Sequence, residues 1–539
     1  MGLGVLEDYK LEHVPGTAPL NELGREVYNT SGVDSSILKH DATGTIVLVP
    51  QPSDSPNDPL NWSRAKKEKF TIAFAFAVGP LLGAAFVSLA TEFNVPLSTF
   101  IQGVQGGVII AIAFSSLIFN ALAVKYGKRP IYLITSVGLV VTCFWAAAAK
   151  SFGSLVAARV IQGLCMGPLE ALVPASIGDV WFVHERGFRN AVFNLGVLGG
   201  INLAQPIGGV IIQYSGYKTA FNAMGGAFVV QLILILLWMP ESAYHRTNTI
   251  MTEIALSHKT DAQHIEEKTT ATPTTTHEAV STEPPQSWAK ELLPYSGYIN
   301  HVSFWNTLCR PLSLLASPAV LWATLLFTTC ISWLVGISVT LSQIFSAPPY
   351  NFSITAVGCS NLSSFVASIL ATAVASPLID GMVRRLSKLN GGTFEPEFRL
   401  PILISYLLFT VSGFFAWGQS AYAQDPWPVP VIVGLGFINF GIQLGTTGIV
   451  SYVVDCHRDK AGEAFAAMNF VKNLFAFGLS QYINSWIATQ GVRDAFFVIG
   501  GITAAVSLTT IPMYVYGKRA RSWTFRHNLA GKGAVHGST

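Results

Sequence analysis

The sequence predicts an all-α membrane protein of twelve transmembrane helices, arranged as two pseudo-symmetric bundles of six with the N and C termini cytosolic. Three observations carry that reading. Half of the 539 residues are hydrophobic and only 12% are charged, whereas charged residues make up about a quarter of a soluble chain. Apolar runs long enough for a bilayer recur twelve times, six before and six after one long polar interval. Landmarks of the first half also return in the second. Asp179 closes the fourth run and Gly187 precedes Asn194 by seven residues, while Asp455 closes the tenth and Gly462 precedes Asn469 by seven. Such internal repetition is how transporters that rock about a central site are built.

Residues 1–68 are polar and rich in turn formers, and their composition predicts a cytosolic arm that is mostly disordered. No short apolar stretch follows a basic start, so the first span is expected to direct insertion itself. At the end of the arm Trp62 suits the headgroup region, and Arg64, Lys66, Lys67 and Lys69 mark the cytosolic side. The N-terminal bundle, residues 69–240, holds apolar runs at 70–91, 100–124, 130–149, 153–179, 189–213 and 221–239. A central cytosolic loop, 241–316, contains a Thr/Pro/Glu-rich middle that cannot bury enough apolar surface to fold, then a weakly amphipathic piece at 288–315 suited to the membrane surface. The C-terminal bundle, 317–516, holds runs at 317–341, 355–379, 399–418, 428–453, 463–487 and 495–516, and a basic cytosolic tail, 517–539, follows.

Lys and Arg set the orientation. With the N terminus inside, the inner connections hold Lys125, Lys128, Arg129, Arg186, Arg189, Arg384, Arg385, Lys388, Arg399, Arg458 and Lys460, whereas the outer ones hold only Lys150, Lys218 and Arg493. This topology leaves Asn351-Phe352-Ser353 as the one glycosylation sequon in an outer loop, at best partly used because it lies so close to the eighth span.

The chemistry is expected where charge lies at membrane depth. The run Ala157–Val180 carries Arg159 and Glu170, and a charge there is costly unless it faces a protein interior or a water-filled path. Eleven positions separate them, so they project from nearly one face about 16 Å apart along the axis, able to line one pathway but not to pair. Glu170 is the only acidic residue in the central part of a span and is the expected proton carrier, with Arg159 tuning its proton affinity; the plainer alternatives are snorkelling for Arg159 and a structural hydrogen bond for Glu170. Lys472 is the only mid-span cation of the second half, suited to an anionic cargo group or to an unidentified carboxylate. The remaining lining is amide, hydroxyl and aromatic. Candidate substrate-binding residues are Gln162, Asn194, Gln205, Trp333, Asn439, Gln443, Asn469, Lys472 and Asn473, with Asn202, Asn361 and Gln481 nearby. A polar but nearly uncharged surface suits a bulky amphipathic organic compound.

Other classes are disfavoured. The six cysteines lack any CxxC spacing and all eleven histidines lie outside the apolar runs, so neither a disulfide framework nor a metal site follows, and an enzyme is not expected. The net charge of +3 is distributed by topology and says nothing for nucleic acid.

Several pieces in order resemble one family: DPLNWS at 58–63, KYGKRP at 125–130, Arg159-Val160-Ile161-Gln162-Gly163, Asp179 with Glu185-Arg186-Gly187, Pro240-Glu241-Ser242, and Glu395-Pro396-Glu397-Phe398-Arg399-Leu400. Over residues 45–520 the chain is similar to fungal members of the major facilitator superfamily, in the twelve-span drug:proton antiporter branch and its polyamine and organic-cation relatives. The superfamily loop motif falls on Asn120 to Arg129, but Val124 stands where the motif has its acid; Asp380 keeps an acid at the equivalent place in the second half. The antiporter motif of the fifth span corresponds to Ala204–Gly209, with its glycine pair kept and its proline moved by one. These glycines allow either dense packing or a gating role.

The resemblance implies a secondary transporter working by alternating access, with no cofactor. Its expected partners are a small organic substrate, protons and the lipid bilayer, and it is expected to act as a monomer. Gating contacts are expected from Lys128, Arg129, Asp179, Glu185, Arg186, Asp380, Arg384 and Asp455. The first reading is proton-coupled efflux of drugs or secondary metabolites at the plasma membrane. The alternatives are an importer of polyamines or organic cations and, more remotely, a non-transporting sensor, for which Val124 is the supporting feature.

Overall fold

A computed structural model describes residues 3–11, 14, 16–19, 52–53, 55–74, 82–244, 287–295, 297–299, 303–391, 393–457 and 460–527. Among them nine helices are long and apolar enough to cross a membrane. The chain opens with α1 (Arg64–Ile72), whose N terminus is capped by the Ser63 hydroxyl accepting from the Lys66 amide. The middle of the first apolar run lies outside the described residues, and a short helix, Phe86–Glu92, ends it. Then follow α2 (Leu97–Tyr126), α3 (Lys128–Ala148) and α4 (Phe152–Val180).

The stretch α5 (Val183–Trp238) supplies two predicted spans. Gly216 divides it with φ 80° and ψ 165°, a conformation that only glycine adopts without strain and that no helix continues through. A short amphipathic helix, α6 (Phe304–Leu314), precedes the second half. That half comprises α7 (Pro318–Ser346), α8 (Ile354–Leu389), α9 (Pro396–Ala423), α10 (Val429–Cys456), α11 (Ala461–Gln490) and α12 (Val492–Arg526).

The two halves repeat one packing scheme. In the first, α2 packs on α4 and α3 on α5; in the second, α8 packs on α10 and α9 on α12. Large apolar residues point outward, Ile134 at 65% and Leu408 at 62% exposure. In a soluble protein such a surface would be a liability, and here it is the lipid-facing skin. The protein is an all-α multi-pass membrane protein, as the composition requires.

Parts of the polar arm that composition assigns to disorder are packed. Trp62 and Phe70 lie in a buried cluster with Phe74, Tyr132 and Trp181, and Lys67 donates to the Leu60 carbonyl over the rings of Trp181 and Phe182. Nearer the start, β1 (Ala18–Pro19) pairs antiparallel with β2 (Thr393–Phe394), and Glu7 reaches Lys518 at 2.6 Å. Apolar periodicity is the signal by which a sequence announces folded structure. These stretches lack it because they are held by charge, by caps and by single aromatic anchors.

Candidate functional site

The site lies where the halves meet. Glu170, on α4, forms an ion pair through Oε1 with the ammonium of Lys472 on α11, and its Oε2 accepts from Asn473 Nδ2 at 3.4 Å. The Lys472 side chain is 4% exposed and that of Glu170 28%, so the cation is sealed behind the carboxylate. Lys472 Nζ lies 5.9 Å from the Phe327 centroid; Phe114 of α2 meets Phe470 of α11 across the halves at 5.7 Å, and Trp333 of α7 meets Phe475 of α11 at 5.5 Å. The Ser332 hydroxyl donates to the Lys472 carbonyl at 3.2 Å, fixing α7 to α11 at this level. Trp333 Nε1, Thr328 Oγ1 and Asn469 Oδ1 are buried without a partner.

Arg159 stands apart from this pair. Its guanidinium donates to Gln162 Oε1 at 2.6 Å and lies 6.0 Å from the Phe221 ring; Gln162 in turn donates to Cys143 Sγ at 3.1 Å. Arg159 is thus 4% exposed inside the first half with its Nε unpartnered. The structure brings Glu170 together with Lys472, not with Arg159.

A second polar group joins the halves nearer the end away from the termini. Asn202 Nδ2 donates to Asn439 Oδ1 at 3.2 Å and Ser368 Oγ at 3.4 Å, and Asn439 donates to Ser364 Oγ at 2.9 Å. Gln443 donates to Thr372 at 2.9 Å. Both amide atoms of Gln205 are buried and unpartnered. Beyond this level α5 and α8 touch backbone to backbone. A Cβ on Gly358 would lie 2.5 Å from the Gln205 carbonyl oxygen, and one on Gly209 would lie 2.9 Å from that of Ile354. Thr355 N donates to Gln213 at 2.8 Å and Gln102 to the Gln481 carbonyl at 3.2 Å. That end is closed.

At the terminus-bearing end the charged residues bind within each half. Lys128 pairs with Asp179 at 2.6 Å, tying α3 to α4, and Asp455 pairs with Arg399 at 2.5 Å, tying α10 to α9. Arg129 is buried and donates to the carbonyls of Ile235, Leu236, Met239, Leu292 and Leu293. Glu241 accepts from the backbone amides of Lys128 and Arg129, each at 3.0 Å. The second half mirrors this: buried Arg521 on α12 bonds Glu395 at 2.9 Å and Glu397 at 2.8 Å at the start of α9. Asp380 and Arg384 are exposed, and Asn351 is exposed in the loop before α8. The side chains of Glu185, Arg186 and Asn194 lie outside the described set.

Nothing in the sequence names the carboxylate that Lys472 meets. The available signal was that Glu170 is the only acid in the central part of a span and Lys472 the only mid-span cation of the second half. Glu241 and Glu395 are legible as members of the motif pieces and Arg521 as a charge of the basic tail, but their partners are not.

The family model for the Major Facilitator Superfamily matches residues 70–480. This chain belongs to that superfamily. Its relatives within the superfamily include Protein HOL1 of Saccharomyces cerevisiae, 24% identical over 96% of this chain and 97% of the relative. A probable efflux pump, mfs2, of Aspergillus flavus is 25% identical over 74% of this chain and 87% of the relative. Among solved structures, a D-xylose-proton symporter matches with a TM-score of 0.56 at 14% identity, over 85% of this chain and 98% of that one. The likeness in structure is one of fold. Superfamily membership makes the chain a membrane transporter and not an enzyme.

Proposed function

We propose that this protein exports small organic compounds, drugs or secondary metabolites, across the plasma membrane in exchange for protons. Its two bundles, residues 69–240 and 317–516, rock about the Glu170–Lys472 level, with both termini and the central loop in the cytosol. The single observation that carries the reading is the ion pair itself, which joins α4 of one half to α11 of the other. A proton arriving on Glu170 removes the attraction across the halves, so protonation and conformation are linked through one bond. Closure of the end away from the termini fits a state in which cargo reaches the site from the cytosol. The similarity to a probable efflux pump supports the outward direction. The intra-half pairs Lys128–Asp179 and Asp455–Arg399 hold helix ends that must move together when the inner gate changes.

Glu170→Gln tests the coupling, since it keeps the shape and hydrogen-bonding capacity but removes ionisation. Transport driven by a pH gradient should fall severely; intact pH-driven transport would refute the assignment. Direction is read by retention of a compound panel in cells with and without the protein, where efflux lowers accumulation and import raises it.

A further inference from the structure

Charge balance at the inter-half pair restricts the cargo. A compound seated between α4 and α11 must separate Glu170 from Lys472, and both charges then lose the partner that offsets their desolvation. A neutral compound leaves both unpaired, a cation leaves Lys472 stranded, and an anion leaves Glu170 stranded. Only a compound with one charge of each sign restores both contacts. Lys472 cannot turn to water instead, because it is 4% exposed and bounded by Phe327 and by Ser332, which holds its own backbone.

We infer that the preferred cargo is an aromatic zwitterion, its acid group on Lys472 and its ammonium on Glu170. This rests on the transport reading above and names its substrate class. Phe327 beside the Lys472 ammonium, and the Trp333–Phe475 pair on α7 and α11 about one turn along from Ser332 and Lys472, offer faces and edges to an aromatic body. The unpartnered Trp333 Nε1, Thr328 Oγ1 and Asn469 Oδ1 lie within about one helical turn of Lys472 or its α7 neighbour Ser332 and offer a donor, a hydroxyl and an acceptor to its polar substituents. The arrangement also gives antiport its sign. A protonated Glu170 has no charge with which to hold the ammonium, so proton and cargo exclude each other at one carboxylate, and each expels the other.

The test uses the purified full-length chain in nanodiscs and four probes on one aromatic frame: tryptophan, tryptamine, indole-propanoate and methylindole, with binding measured by calorimetry at neutral pH. Tryptophan should bind at least about tenfold tighter than the other three. Lys472→Gln should move the preference to tryptamine, and Glu170→Gln should move it to indole-propanoate, a swap that loss of fold would not produce. The doubly neutral Glu170→Gln, Lys472→Gln protein should bind methylindole as well as any charged probe. Equal binding of all four, a preference that survives both single variants, or binding of none at millimolar concentration would overturn the inference. Equal binding together with loss of pH-driven transport in Glu170→Gln would remove the zwitterion and leave the transport reading standing.

Discussion

Glu170 and Lys472, 302 positions apart in the chain, form an ion pair that joins the two halves of the protein. Removing one partner strands the other charge, so each single neutral substitution should destabilise. Lys472→Met is expected to cost about 1–3 kcal/mol, less than a fully buried pair because Glu170 is partly exposed. The double variant Glu170→Gln, Lys472→Met should recover most of that loss, and melting midpoints of the four proteins in one detergent give the coupling directly. Additive effects would mean that the two charges do not support each other.

Arg129 and Lys128 are neighbours with different work. Arg129 is buried and spreads its guanidinium over carbonyls of α5 and of the central loop, contacts that a single ammonium cannot reproduce. Arg129→Lys should therefore cost about 2–4 kcal/mol and lower the yield of folded protein. Lys128→Ala removes a partly exposed pair with Asp179 and should cost under about 1 kcal/mol. Comparable losses in a thermal melt would contradict the division.

His457 sits between α10 and α11 with its Nε2 buried and unpartnered. Burial, together with the positive charges of Arg521 and Lys460, lowers its proton affinity from the ordinary 6.5 to about 4. The unfolded chain takes up this proton first as pH falls, so the contribution is complete above pH 6.5 and is lost between there and about 4. At most about 3 kcal/mol is at stake. Melting midpoints recorded across that window should fall with pH, and His457→Gln should flatten the fall; an unchanged slope would assign the acid sensitivity elsewhere.

The fold class was legible because its signals are local. Twelve apolar runs, Lys and Arg in alternate connections, and repeated Asp and Gly landmarks each need only a short window of sequence. Residues such as Arg129 and Arg521 were visible as charges near helix ends, but their partners Glu241 and Glu397 lie 112 and 124 positions away, and no spacing rule connects them. The docking of Glu7 on Lys518, 511 positions apart, is beyond sequence reading for the same reason. Glu170 stood out at once because a lone carboxylate at membrane depth demands an explanation. Its partner required knowing which helix of the second half faces α4, and that is a property of how the halves close.

That closure makes the final prediction. Gly358 faces the backbone of Gln205 and Pro206 so closely that any Cβ there must push α8 from α5. Overpacking of this kind costs about 1–3 kcal/mol, and because about 1.4 kcal/mol is a factor of ten in population, a state open at that end should gain about five- to 150-fold. Gly358→Ala should accordingly raise the rate at which a membrane-impermeant maleimide labels a cysteine placed at Gln205, which is buried against Gly358 in the closed state. Transport should slow as the cycle lingers in the open state. Gly196 has nothing near its missing Cβ, so Gly196→Ala is the control and should leave both rates unchanged. Slow labelling and full transport in Gly358→Ala would show that α5 and α8 tolerate separation without opening.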